Sequence, residues 1–194
     1  MTTVYKLTDQ SYRTYNGTQW GEGFEHTASG EGGLCGPGWL HAYTHPLLAV
    51  LLNPVHADIK NPIVWEAEGD MGIEDHGLKV GCRRLKTIKI IPLPRVTLEQ
   101  RVRFGILCSL EVCTEPSFVS WAHEWLSGEN RWEEAAGEVA WAAKKAAEGE
   151  WWASWAARVA ADAAWWAALV AAKSGKNIDL IALAEKACEF RLKF

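Results

Sequence analysis

Tryptophan and alanine are crowded into the second half of this 194-residue chain. Nine of the twelve tryptophans follow residue 120, and residues 150–173 are mostly alanine and tryptophan, with no glycine or proline. Alanine has the highest helix propensity, so we expect one long helix here. Small side chains let helix axes approach closely, so we expect this half of the chain to form closely packed helices.

On a helical wheel at about 100° per residue, residues 150–173 divide into a bulky face and a flat face. Arg158 and Asp162 lie within the bulky face, four residues apart, where they can pair. An ion pair is costly in a dry core, so two interpretations stay open: a core face, or a surface for recognition or self-association. The bulky face contains Trp151, Trp152, Trp155, Trp165, Trp166, Leu169 and Val170, and the flat face contains Ala153, Ala156, Ala157, Ala160, Ala161, Ala164, Ala167, Ala168 and Ala171.

A second amphipathic helical pattern covers residues 131–148, with alanines on one face and charged residues on the other. Trp141 lies in the middle of the charged face, which predicts its exposure. Trp and Arg are enriched in interface hot spots, so we define a candidate binding face from both patterns. It consists of Trp141, Trp151, Trp155, Arg158, Asp162 and Trp166.

The first half of the chain predicts a small α+β domain with a mostly antiparallel sheet. We expect an extended segment over residues 2–16 and strands over 62–68 and 85–91, from β-branched residues and alternating polarity. Gly69-Asp70 reads as a turn between them. A short helix should begin near Pro46, with Thr44 as its cap.

Helix signals place the domain boundary near residue 96. Thr97 and Gln100 form a capping box, Gly128 ends a helix that starts at Pro116, and Asn177 or Asp179 caps a last helix. The chain is therefore expected to have two domains, an α+β domain over residues 1–96 and an all-helical, Ala/Trp-rich domain over 97–194.

The net charge of −4 argues against nucleic-acid binding by bulk electrostatics, and we expect no nucleic-acid partner. No apolar stretch reaches the roughly 20 residues of a membrane span. No secretion signal is visible and the cysteine count is odd, so we expect reduced thiols and a cytoplasmic location. A local basic group reads as a solvated strand face; its members are Lys79, Arg83, Arg84, Lys86 and Lys89.

No established catalytic motif is present, and we expect neither a cofactor nor a bound metal. His41 and His45 have the spacing of helical metal ligands near Cys35, but Pro46 argues against a continuous helix through both, so ordinary loop histidines are favoured. Cys35-Gly36-Pro37-Gly38 predicts a turn that needs the special backbone angles of glycine.

Several motifs of the first half occur in one order: Tyr5-Lys6, then Leu34-Cys35-Gly36-Pro37-Gly38-Trp39-Leu40-His41-Ala42 with Pro46 after it, then Trp65-Glu66-Ala67-Glu68-Gly69, then the strand Lys86–Ile91. Over residues 3–95 this order resembles a family of uncharacterised phage and bacterial domains with a Cys-x-x-Gly-aromatic-His motif. Here Leu40 is inserted before the histidine. The resemblance implies a phage-type accessory protein, not an enzyme, that binds a host protein or complex, for example as an inhibitor of a host defence system.

The same order of elements distantly resembles the ADP-ribosyltransferase fold. That resemblance implies a pocket of Arg13, His41, Tyr43, Glu66 and Glu68, in which the arginine and the aromatic residues hold NAD and the second glutamate orients the ribose. Two carboxylates on one strand face can also act as an acid and a base, although exposed strands carry such pairs routinely. We therefore expect a protein that binds a host macromolecule or a second copy of itself. The alternative is an NAD-using transferase.

Overall fold

The computed structural model of the protein describes residues 1–129 and 150–189. The chain divides into two compact units, Met1–Arg95 and Val96–Phe194. The first unit contains a five-stranded antiparallel sheet and one short helix, and the described part of the second unit is helical. The predicted α+β fold class is therefore confirmed, and the division lies one residue from the expected boundary.

The sheet of the first unit is built around the long hairpin of β4 and β5. On its other edge β5 pairs with both β2 and β3, while β1 pairs with β4, and every pairing is antiparallel. The strands are β1 (Thr2–Thr8), β2 (Glu25–Thr27), β3 (Leu40–Ala42), β4 (Ile63–Glu74) and β5 (Val80–Ile91).

The sheet closes on itself where the chain leaves β3. The Tyr5 amide donates to the Tyr43 carbonyl at 2.8 Å, and the Tyr43 amide donates to the Tyr5 carbonyl at 2.9 Å. The hydrogen-bonded path therefore runs from β1 through β4, β5 and β3 and returns to β1. The curved sheet surrounds a core of Val4, Trp20, Ala42, Ala67, Val80, Cys82 and Leu85.

Strand register places one charged residue on the core side of β1. Val4 lies opposite Ala67, and Lys6 lies opposite Trp65. Successive strand residues alternate between the two faces, so Lys6 shares the face of Val4. Lys6 is only 8 % exposed, which is unusual for a lysine.

Three local predictions for the first unit are wrong. The extended segment ends at Thr8 because the Asp9 carboxylate accepts from the Ser11 and Arg13 amides, both at 2.8 Å, and turns the chain. β4 continues through Gly69-Asp70 to Glu74 instead of turning. The cap of α1 (Pro46–Leu52) is His45, whose Nδ1 accepts from the Leu47 amide, because a proline at the first helical position makes the preceding residue the cap.

The turn at Cys35–Gly38 is constrained by space. Neither Gly36 nor Gly38 has a positive φ. A Cβ atom on Gly38 would lie 2.1 Å from the carbonyl oxygen of Glu31 and 2.9 Å from the Ser29 hydroxyl. The expected need for special backbone angles is therefore wrong, and the glycine is required because backbone approaches it closely.

We expect Gly38→Ala to destabilise the first unit by about 1–3 kcal/mol, because the added methyl group must displace backbone. Gly33→Ala is the matched control, since a Cβ there meets nothing within 4 Å and its φ is not positive. Urea unfolding of both variants measures the difference. Equal stabilities would contradict this packing.

The helices of the second unit carry the predicted caps. The Thr97 hydroxyl accepts from the Gln100 amide and the Gln100 side chain accepts from the Thr97 amide, which confirms the capping box. Gly128 ends its helix in the left-handed conformation with φ 86°, and Asp179 accepts from the Ala182 amide at 3.0 Å. The helices are α2 (Leu98–Leu110), α3 (Pro116–Ser127), α4 (Glu150–Lys173) and α5 (Leu180–Glu189).

α2 is the centre of the described part of this unit, and α4 packs along it. A Cβ on Gly105 of α2 would lie 2.8 Å from the carbonyl oxygen of Ala160 and 3.0 Å from its Cα, so the two backbones nearly touch. The alanine face of α4 is the buried one, with Ala156, Ala160, Ala161, Ala164, Ala167, Ala168 and Ala171 at most 3 % exposed. The predicted close packing of this face is confirmed.

The described helices include none that combines the length and the apolar character of a membrane span.

We expect Ala164→Leu to destabilise the helical unit by about 1–3 kcal/mol, because Ala164 is fully buried and the interface has no room for a larger side chain. Ala163→Leu in the same helix is the control, since Ala163 is only partly buried. Chemical denaturation of both variants measures this difference. A stability of Ala164→Leu equal to that of the control would show that α4 does not pack through its alanines.

Candidate functional site

The side of α4 away from its alanines presents large apolar groups. Trp166 is 57 % exposed and Val170 is 46 % exposed, although both are residue types that normally seek burial. They stand four residues apart and are neighbours on the helix surface. Arg158 and Asp162 continue the same spacing towards the helix start. We refer to Arg158, Asp162, Trp166 and Val170 as the outer α4 stripe.

The bulky face of α4 is divided between core and surface. Trp155 is partly buried and packs with Leu98 against Ala156 and Val159. Nearer the end of the helix, the ring of Trp165 meets that of Trp166 edge to face, with centroids 4.8 Å apart. Trp155 therefore contributes to the core, and Trp166 is mostly exposed. Whether the exposed part serves recognition or self-association stays a prediction. Trp141 and the side chain of Trp151 lie outside the described part of the chain.

The pocket expected from the second resemblance is not assembled. Arg13 lies beyond β1 and is exposed, and its guanidinium donates to the Gln19 side chain at 3.0 Å. Glu66 pairs with Lys89 at 3.5 Å, and Glu68 is exposed opposite Lys86. Arg13 and Glu66 thus have other partners, Gln19 and Lys89, and no contact joins either of them to His41 or Tyr43 among the described residues.

His41 and Tyr43 belong instead to a group of basic side chains around the end of β3. The Lys6 Nζ donates to the His41 carbonyl at 2.7 Å and lies 5.0 Å from the centre of the Trp20 ring. Burial lowers the pKa of the Lys6 amine to about 8 from its ordinary 10.5. Lys6 thus ties β1 to β3 across the closed sheet at the cost of desolvating an ammonium group.

Lys79, just before β5, reaches the same region. It is 9 % exposed, and its Nζ donates to the Sγ of Cys35 at 3.3 Å. His41 contacts the Leu34 carbonyl through Nε2. Burial, followed by the charges of Lys6 and Lys79, lowers the pKa of His41 against the opposing effect of the Leu34 carbonyl. The interpretation of Lys79 as part of a solvated strand face is wrong.

His56 completes the group. Its ring stacks on Tyr43 with centroids 5.8 Å apart, and Nδ1 lies 3.3 Å from the Tyr43 hydroxyl. Burial raises the pKa of Tyr43. Burial, with the charges of Lys79 and His41, lowers the pKa of His56 to about 4, and its buried Nε2 has no hydrogen-bond partner among the described residues. We refer to Lys6, His41, His56 and Lys79 as the basic cluster.

The three residues considered for a metal site are engaged separately. Cys35 accepts from Lys79, His41 contacts a backbone carbonyl, and His45 caps α1. Among residues 1–129 and 150–189, no group of three or more His, Cys, Asp or Glu side chains is placed to hold a metal ion. The thiols of Cys35, Cys82, Cys108, Cys113 and Cys188 are free.

The sequence does not predict that Lys6, His56 and Lys79 belong to one site. The two-residue period of a strand identifies Lys6, because Val4, Lys6 and Thr8 occupy every second position, share one face and are all buried. The burial of Lys79 depends on how its hairpin turn is placed, and the position of His56 depends on its stacking against Tyr43. Neither leaves a periodic signal in the sequence.

No protein-family model, curated protein or solved structure matches this chain. The resemblance of residues 3–95 to phage and bacterial domains therefore stays a prediction.

The lowered pKa of Lys6 predicts how stability depends on pH. Between about pH 8 and about pH 10.5 the unfolded chain binds more protons at Lys6 than the folded chain does, so the contribution of Lys6 to the free energy of unfolding rises with pH. Lys6→Met should remove that contribution. Lys60→Met is the control, because Lys60 is exposed.

Urea unfolding at about pH 7.5 and about pH 9 measures the change. We expect a smaller increase, or a larger decrease, in the free energy of unfolding for Lys6→Met than for wild type and Lys60→Met. The same change in all three proteins would show that Lys6 is not desolvated.

Proposed function

We propose that this is a non-enzymatic, phage-type accessory protein that binds a host-cell protein through the outer α4 stripe. One observation carries the proposal: α4 buries its alanines and turns Trp166 and Val170 outward. An amphipathic helix that only completes a core does the opposite, because burying large apolar groups is the main source of stability.

The spacing of Trp166 and Val170 suits one mode of recognition. Anchors at i and i+4 on a helix enter an apolar groove of a partner, and tryptophan is the residue most enriched among interface hot spots. Trp166 is the primary anchor because of its area, and Trp165 supports its ring from the side. We therefore expect the partner to be a folded protein with an apolar groove.

The biological setting rests on the resemblance of residues 3–95 to phage and bacterial domains. A phage-encoded binding protein acts on proteins of the host cell, and inhibition of a defence system is one such role. The NAD-using alternative is not pursued, because Arg13 bonds to Gln19, Glu66 pairs with Lys89 and Glu68 lies exposed opposite Lys86.

We expect Trp166→Ser to abolish binding while leaving the fold intact, because the indole is mostly exposed. Tyr15→Ser is the matched control, an 89 % exposed aromatic group in the first unit. Each tagged protein captures its partners from bacterial lysate, and the partner retained by wild type and Tyr15→Ser is purified. Its dissociation constant should rise about 30-fold or more for Trp166→Ser, as for a hot spot of ~2 kcal/mol.

Three results would count against the proposal. They are capture of the same proteins by all three baits, capture of none, and a wild-type dimer in light scattering that Trp166→Ser dissociates. The last would assign the outer α4 stripe to self-association.

A further inference from the structure

The basic cluster groups two lysines with two histidines, and none of the four forms an ion pair with a carboxylate among the residues that the structure describes. The groups that shift the pKa values of Lys6, His41 and His56 are lysines, a histidine, a thiol and a backbone carbonyl, and no carboxylate is among them. The exposed cations of the same unit behave differently. Three of them have a carboxylate partner: Arg83 with Asp70, Arg84 with Glu25 and Lys89 with Glu66.

The cluster also holds more hydrogen-bond donors than acceptors. An ammonium group has three N–H donors, but in the described part of the chain Lys6 reaches one carbonyl oxygen and Lys79 reaches only the sulfur of Cys35, a weak acceptor. His56 Nε2 is buried and has no hydrogen-bond partner among the described residues. Buried polar groups are normally satisfied, so these nitrogens point to an acceptor-rich ligand.

We propose that the basic cluster is a binding site for a phosphate-bearing small molecule. Lys79 and the imidazole of His56 contact the phosphate oxygens, and the charge of Lys6 lies behind them. The mouth of the site is at Cys35, which is exposed and touches the Lys79 ammonium. This site is in the first unit and is separate from the outer α4 stripe.

Charge favours phosphate over a carboxylate. Two lysines supply up to two positive charges, and a phosphate group carries about −1.5 to −2 at neutral pH, whereas a carboxylate carries one. When the Tyr43 hydroxyl donates to Nδ1, the neutral imidazole of His56 has its N–H at Nε2 and adds a donor without further charge. A tetrahedral group with several acceptor oxygens can also engage more than one donor at once.

Thermal unfolding with inorganic phosphate tests the site, with sodium chloride keeping the ionic strength constant. We expect a saturable rise in the melting temperature of about 5 °C at tenfold the dissociation constant. Lys79→Met should lose this rise. Lys86→Met should keep it, because Lys86 lies along β5 opposite Glu68. Acetate should need at least a tenfold higher concentration for the same rise.

Alkylation of Cys35 provides a second readout on the unaltered protein. Iodoacetamide is uncharged, so phosphate in the site should slow its reaction with Cys35 several-fold through occupancy, as measured by peptide mass spectrometry. If Lys79→Met does not fold, this readout alone tests whether phosphate occupies the basic cluster. The proposal would be overturned by an absence of protection, by equal phosphate stabilisation of folded Lys79→Met, or by acetate acting as strongly as phosphate.

Discussion

The close approach of α4 to α2 determines the arrangement of the helical unit. The backbone of Ala160 lies so near Gly105 that no larger side chain fits between the helices. Alanine contributes little apolar area per residue, so this contact is stable because the backbones themselves pack, and not because large groups are buried. The large groups of α4 must then lie on its flanks and its outer side. Trp155 finds partial burial on one flank, and Trp166 does not.

The first unit shows a second departure from ordinary core chemistry. A closed sheet could be filled entirely with apolar side chains, and replacing a buried charge by an apolar group often stabilises a protein. Here Lys6 lies against Trp20 and donates to the His41 carbonyl, while Lys79 is buried nearby. Neither amine forms an ion pair with a carboxylate in the described part of the chain, so the retention of both is easier to understand if their charge is used. The two units thus each carry one feature that stability alone does not require.

Local signals in the sequence were sufficient where structure depends on near neighbours. The Thr97–Gln100 capping box, the Gly128 helix end and the alanine face of α4 are all present as predicted.

Predictions were wrong where the local structure depends on residues that are distant in the sequence. Gly69 predicts a turn but lies within β4, where the glycine leaves room for the Sγ of Cys82, which lies 2.7 Å from where a Cβ would be. The order of Arg13, His41, Tyr43, Glu66 and Glu68 in the chain predicts one pocket. The structure instead bonds Arg13 to Gln19, and strand register places Glu66 and Glu68 opposite Lys89 and Lys86. The basic cluster depends on the closure between Tyr5 and Tyr43, which no periodicity in the sequence reveals.

The central claim is that α4 faces its neighbours with alanine and the solvent with tryptophan. Fluorine NMR of the protein labelled with 5-fluorotryptophan tests it directly, with Trp166→Phe to assign the resonance. A fluorine nucleus in contact with water shifts when H2O is replaced by D2O, and a buried one does not. The account predicts a clear solvent shift for Trp166, which is 57 % exposed, and almost none for Trp20 and Trp65, which are 1 % and 2 % exposed. A Trp166 shift as small as that of Trp20 would contradict it.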